Sequence, residues 1–335
     1  MSRISIRRGV LLLGANGPVR IILTIALLSC VCLFRLGSGQ DSRDLTSKAR
    51  RCKLLSNRRL NDVAPAGTRF TRETLSAYLE ALRSDETFEG WLTPTNVFMV
   101  GYLSRKQHDL GNFGSVGEIG VHHGKFTAAL SGFASPRESV VAYDLFSLQK
   151  QNTDGSGKGD SQRFKGNLDR FDLLDQNTQA LEGNSFNLKA AHFSNYASFR
   201  LFSVDGGHTE SLTLNDLLLT CSIIHDGGIV ILDDFINMDW LGVVSGAFEF
   251  MRSQSRLVPF LWMSNKLYFT TADSHGLYVA ALKNLNGAIC NNRATTLAQA
   301  RDIFPTFTCI VNCVDDNVVE VCDMFMSSNT TVGLL

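Results

Sequence analysis

Residues 116–125 read VGEIGVHHGK, and this stretch decides the fold. Val116 and Ile119 are the apolar residues of a short strand, and Gly120 and Gly124 free the backbone for a turn. Phe126–Leu130 (FTAAL) then opens a helical pattern. A strand that ends in a glycine turn and runs straight into a helix brings backbone N–H groups to a ligand at the strand's carboxyl end. Glu118, at that end, would repel a pyrophosphate but suits a ligand carrying positive charge.

The same unit recurs downstream. Ser139–Phe146 (SVVAYDLF) reads as a second strand ending in Asp144, where a carboxylate can accept hydrogen bonds from both hydroxyls of a ribose. Taken alone, Asp144 reads better as a strand-end cap for the next element. Residues 149–160 (QKQNTDGSGKGD) lack the Gly-Lys-Ser/Thr ending of a phosphate loop and read as a solvated loop able to close over a site. Phe164–Leu174 is expected to be helical, and Ala180–Ser185 a third strand with Asn184 and Ser185 at its ligand side. Phe199–Val204 (FRLFSV) is a fourth strand, followed directly by Asp205-Gly206-Gly207-His208-Thr209. Leu214, Leu217, Leu218, Cys221 and Ile224 form the apolar stripe of the next helix, which Gly227-Gly228 should end. Ile229–Leu232 is the fifth strand and runs into Asp233-Asp234. A helix over Trp240–Met251 and two final strands, Leu257–Thr270 and Leu277–Leu282, plausibly antiparallel, complete the pattern.

Upstream of the deciding turn, Leu75, Tyr78, Leu79 and Leu82 recur at helical spacing from Thr71 onward. Phe88–Gly101 reads as a cap or lid, where Trp91 and Tyr102 read as packing residues in preference to substrate contacts. The chain therefore divides into a signal peptide or signal anchor (1–37), a polar linker or stalk (38–68), a helical cap (69–110), the α/β body (111–283) and a cysteine-rich extension (284–335).

Composition sets the bounds. With 335 residues, 44% hydrophobic, and 32 basic against 32 acidic side chains, the chain has no basic excess for nucleic-acid phosphates. Arg3, Arg7, Arg8 and Arg20 precede the apolar run Ile21–Phe34, which is short for a membrane span and matches the core of a secretory signal. A cleaved signal and a short uncleaved anchor both stay open. Each places the body in the secretory lumen, type II anchored, or outside the cell. Cys290, Cys309, Cys313 and Cys322 fit two disulfides in such a compartment better than a zinc site, and Asn329 begins a glycosylation sequon.

Five acids, Glu118, Asp144, Asp205, Asp233 and Asp234, fall at the carboxyl ends of expected parallel strands. In an open α/β sheet that edge binds ligands. Asp205, Asp233 and Asp234 offer hard oxygen ligands for Mg²⁺, and His208 is placed as general base or substrate contact.

On the pieces EIGVHHGK, VVAYDLF, SVDGGHT and GGIVILDDF, residues 101–282 resemble class I S-adenosylmethionine-dependent methyltransferases. The closer likeness is to the DGGH/DD branch, similar to Mg²⁺-dependent O-methyltransferases of macrolide sugars. The resemblance implies a Rossmann-like, doubly wound, mostly parallel sheet with an antiparallel final strand. It implies that Glu118, Gly120 and His122 lie by the methionine part of the cofactor, Asp144 by the ribose, and Asn184 with Ser185 by the adenine. Asp205, Asp233 and Asp234 would hold the metal, with Asp205 and His208 acting in catalysis. Family members commonly carry glycine where this chain has His122, a departure that tightens the cofactor turn. The acceptor, glycan or small molecule, and a homo-oligomeric assembly stay open. Two other classes compete: a nicotinamide-dependent oxidoreductase, disfavoured by the missing Gly-x-Gly-x-x-Gly, and a binding protein that keeps the fold without the reaction.

Overall fold

The computed structural model describes residues 67–254, 256–285, 298–299, 306 and 308–311. The chain divides into Met1–Ser47 and Lys48–Leu335, and the described residues all belong to the second unit. The expected signal or anchor, almost all of the linker, Cys290, Cys313, Cys322 and the Asn329 sequon lie outside them.

Two helices precede the sheet. Helix α1 (Arg72–Ser84) starts at Thr71, whose hydroxyl accepts from the Thr74 N–H while Thr74 caps the Thr71 N–H in return. Helix α2 (Pro94–Asp109) starts with proline at its first position, where no intrahelical N–H is needed. The strands are β1 (Ser115–Ile119), β2 (Val140–Asp144), β3 (Thr178–Glu182), β4 (Phe199–Val204), β5 (Ile224–Leu232), β6 (Leu257–Met263), β7 (Lys266–Thr271), β8 (Ala298–Gln299) and β9 (Cys309–Val311). Between them run α3 (Lys125–Gly132), α4 (Ser161–Asp169), α5 (Glu210–Ile223), α6 (Leu241–Ser253) and α7 (His275–Leu285). The sheet order is β3-β2-β1-β4-β5-β7-β6-β9-β8. Strands β1 to β5 are mutually parallel, and β7 is antiparallel to both β5 and β6. This is the expected doubly wound, mostly parallel sheet.

One core cluster joins Leu75 and Tyr78 of α1, Val97 and Val100 of α2, Ala128 of α3, Phe164 of α4 and Tyr278 of α7 to Val116, Ala142, Leu201, Ile231 and Tyr268 of the sheet. Helices α5 and α6 pack on each other, and α5 lies against β4 and β5. The cap is bound to this body by backbone: Phe70 N–H donates to Gly132 O at 2.8 Å and Arg69 N–H to Ala134 O at 2.9 Å.

Four expectations shift. Leu277–Leu282 belongs to helix α7, in which Tyr278, Val279, Leu282 and Leu285 are buried at helical spacing. A short apolar run does not choose between strand and helix by period alone. The two closing strands instead share residues 257–271 and turn at Ser264, which has φ +54°. Gly227-Gly228 does not end a helix: α5 stops at Ile223, and the glycines lie inside β5. There Phe199 pairs with Ile224 but Leu201 with Ile229, so residues 225–228 bulge and Gly227 takes φ +83°. Trp91 is 85% exposed and therefore not a packing residue, whereas Tyr102 stacks on Phe98 and donates to Ala281 O at 2.9 Å. Finally, Cys309 is a free, buried thiol whose pKa burial raises to about 11, and Cys221 on α5 is the disulfide-bonded cysteine.

Among the described residues no helix is long and apolar enough to cross a membrane.

Candidate active site

Register puts the acids in line. Ile119 pairs with Tyr143 and with Val204, and Val204 pairs with Leu232, so Gly120, Asp144, Asp205 and Asp233 all follow one row of the sheet. The chain reverses direction across the sheet between β1 and β4, and a crevice at such a switch point binds ligands. Gly120 has φ +84°, and a Cβ there would lie 1.7 Å from the Asp205 carbonyl oxygen, so only glycine lets the two turns meet.

Glu118 is buried, and its Oε2 accepts a hydrogen bond from Thr127 Oγ1. Burial raises its pKa to about 8, against the Thr127 bond and the nearby Lys266 charge. Asp144 receives the His122 N–H on Oδ2 at 2.8 Å and the Phe146 N–H on Oδ1 at 2.9 Å, so it shapes the turn after β1. His122 itself has φ +51°, a conformation that suits glycine. Asn184 caps the turn Ser185–Asn187, accepting from the Phe186 N–H at 3.0 Å, and Ser185 Oγ donates to the buried Asp216 Oδ2 at 3.0 Å. Both thus stand just past β3 on the crevice side.

His208 gathers the reactive groups. Its Nε2 lies 3.2 Å from Asp234 Oδ2 and 4.0 Å from Asp205 Oδ1, and its ring stacks on Trp240 at 4.4 Å. Its Nδ1 lies 2.9 Å from Asp154 Oδ2, which also receives the His208 N–H at 2.7 Å. Burial alone would lower the His208 pKa, but Asp234 and Asp154 outweigh it and raise it. Asp234, at φ +52°, has its pKa lowered to about 2: burial opposes ionisation, and His208, Asn237 and Asn265 overcome burial. Burial, then Asp233 and Asp234, push the Asp205 carboxyl well up, with Lys266 acting the other way.

Donor atoms of Asp205, His208 and Asp234 all lie within 4.8 Å of one another. Asp233 does not join them. Its Oδ2 accepts from the buried Lys266 ammonium and its Oδ1 from Asn265 Nδ2 at 2.8 Å, so the expected three-aspartate set is two aspartates and a histidine. Lys266, Asp154 and Asn265 were not singled out from sequence. A lysine inside the apolar run of β7 was a signal, because a buried ammonium needs a carboxylate. Residues 152–159 do not stand free in solvent: Asp154 ties them to His208, and a Cβ on Gly159 would fall 2.3 Å from Asp144 Oδ1.

Strand order 3-2-1-4-5-7-6 with β7 antiparallel, a glycine turn after β1 and an acid after β2 agree with the sheet expected from the sequence. Residues 118–235 match the family described as "Methyltransferase domain". Among solved structures, the O-methyltransferase NovP is similar over 53% of this chain and 79% of its own, at 15% identity and TM-score 0.44. The calicheamicin methyltransferase CalS11 is similar over 71% and 99%, at 16% identity and TM-score 0.43. The O-methyltransferase from Bacillus cereus, in complex with SAH, is similar over 59% and 89%, at 14% identity and TM-score 0.44. No curated protein matches the sequence.

Proposed function

We propose that this enzyme methylates a hydroxyl group of a small-molecule or glycan acceptor and that a divalent cation, Mg²⁺, assists it. The observation that carries this reading is the convergence of Asp205, His208 and Asp234 within 4.8 Å at the switch point. The donor set fits such an ion, because two carboxylates are hard oxygen ligands.

When bound, Mg²⁺ would make an acceptor hydroxyl more acidic, and S-adenosylmethionine would supply the methyl group. Asp205 and Asp234 would hold the ion. Asp233, neutralised by Lys266, supports the backbone from which Asp234 projects, accepting the Asp234 N–H at 2.8 Å. His208 would take the acceptor proton on Nε2, while Asp154 on Nδ1 fixes the ring and stabilises its charged form. Asp144 would hold the ribose hydroxyls, and Asn184 and Ser185 would flank the adenine. The basic, then apolar, amino end supports a place in the secretory lumen for this chemistry.

Calorimetric titration of the full chain with S-adenosylhomocysteine, with and without Mg²⁺ and with NADH as control, tests the reading. Binding of the homocysteine product and not of NADH is expected. An Asp234→Asn variant should bind it equally well but lose Mg²⁺-stimulated turnover. Folded protein that ignores the product would overturn the cofactor assignment, and full activity in chelator would overturn the metal.

A further inference from the structure

A second group of metal-ligating atoms lies on the other side of the cofactor turn. Glu89, in the connection between α1 and α2, meets His122 and His123 of the β1–α3 turn, and one ligand atom from each lies within 4.8 Å of the others. His123 is 4% exposed, and its Nε2 is 3.2 Å from the Lys158 carbonyl oxygen. A carbonyl can only accept, so Nε2 carries a hydrogen and Nδ1 is the ring nitrogen turned towards Glu89. That Nδ1 is buried without a hydrogen-bond partner, and so is Nδ1 of His122.

Glu89 Oε2 sits 3.2 Å from His123 Nδ1, and Glu89 Oε1 lies 3.0 Å from Arg163 Nη1. A carboxylate and an imidazole nitrogen at this separation are held together by a proton or by a metal ion between them. The two imidazole rings stack at 3.8 Å with 24° between their planes. The backbone of the pair is already fixed: Asn167 Nδ2 donates to His123 O at 2.8 Å, and His122 N–H to Asp144. A ring nitrogen bonded to a backbone carbonyl while the other faces a ligand position is the usual support of a metal-bound histidine.

We propose that Glu89, His122 and His123 form a second metal site, selective for a zinc-like divalent transition ion, that clamps the cap to the cofactor turn. Two imidazoles with one carboxylate is a donor set for zinc, nickel or copper and a poor one for magnesium or calcium. Zinc would draw the donors from within 4.8 Å to separations of roughly 3.3 Å and turn the two imidazoles out of their stack so that both ring nitrogens meet the ion. The ion would tie together the α1–α2 connection and the β1–α3 turn, with Lys158 of the loop over Asp144 supporting the ligand from behind. The site stands whether or not the methyl-transfer reading does.

Zn²⁺ titration of the chelator-treated full chain tests the proposal, read by calorimetry and by thermal denaturation. Quenching by Ni²⁺ gives a local readout, because Trp91 is 85% exposed and its ring centre lies 6.2 Å from that of His122. One zinc equivalent should weaken at least tenfold in Glu89→Gln and at least a hundredfold in His122→Gly and His123→Asn, with loss of the zinc-induced rise in Tm. His122→Gly suits the positive φ at that position, and Glu89 is half exposed, so those two variants carry the test even if His123→Asn fails to fold. Asp234→Asn should leave this equivalent in place. Zinc binding unchanged in Glu89→Gln and His122→Gly, or lost in Asp234→Asn, overturns the proposal.

Discussion

Asp144 and Asp154 show how one carboxylate serves both shape and chemistry. Asp144 is committed to two backbone N–H groups, yet its burial and raised pKa keep it in need of further donors. Asp144→Ala is therefore expected to weaken S-adenosylhomocysteine binding by roughly 1.5–3 kcal/mol, the range for hydrogen bonds to a charged group. Unaltered affinity by calorimetry would remove the residue from the site. Asp154 accepts from the His208 backbone and ring and from Ser156 Oγ at 2.6 Å, and with Ser156 Oγ, 3.1 Å from His208 Nδ1, it fastens residues 152–159 to that histidine. Asp154→Ala should speed amide hydrogen exchange in that loop about tenfold or more. Asp144 was legible because it ends a β-branched run; Asp154 was not, because a polar residue in a glycine-rich loop has no periodic signature and its partner is 54 positions away.

At the scale of elements, close approach decides what can vary. A Cβ on Gly132, the last residue of α3, would stand 1.9 Å from the Phe70 ring, which is buried against Tyr78 and Phe133. Gly132→Ala is expected to push Phe70 out and cost about 1–3 kcal/mol in urea unfolding. Wild-type stability in that variant would show that the cap does not depend on this contact. The parallel strands β1, β2, β4 and β5 were readable from sequence because each is apolar and ends in glycine or an acid. The carboxyl-terminal part of the sheet was not. Bulge and helix end both call on glycine at positive φ, so Gly227 alone did not tell one from the other, and in α7 the exposed Leu277 and Ala280 are themselves apolar, which blurs the period of the buried Tyr278, Val279, Leu282 and Leu285. For the same reason the sequence placed three aspartates together: strand ends are legible, but the direction of a side chain is set by partners such as Lys266 that come from elsewhere.

The whole molecule is pinned by one buried ion pair. Arg200 on β4 gives Glu138 two hydrogen bonds, at 2.6 and 2.8 Å, and also reaches Ser104 and Gln107 of α2. Glu138 further accepts from the Gly114 and Ser135 N–H groups. Burial would raise the Glu138 pKa, but Arg200 and His108 outweigh it and hold it well below the usual carboxylate range. The sign follows: a depressed carboxyl contributes stability that is present above its ordinary pKa and is lost as pH falls through the folded value. Arg200→Met removes the partner and should cost about 3–5 kcal/mol near neutral pH. The pH dependence should then reverse, since an unpaired buried Glu138 favours its protonated form and the variant loses stability as pH rises from about 4.5. Urea unfolding of both proteins between pH 4 and 8 checks this, and parallel curves would refute it.

The free thiol of Cys309 turns the far margin of the sheet into a timer. It sits on β9, beside β6, in the interior and with a pKa of about 11, so an alkylating reagent meets almost no thiolate while the strands stay paired. Reagent uptake then proceeds only in the brief intervals when that margin parts, and its pace counts those openings. Because β9 is separated from β5 and its acids by β7 and β6, this clock runs without touching the crevice, and cofactor that slowed it would reveal stiffening carried across the whole sheet.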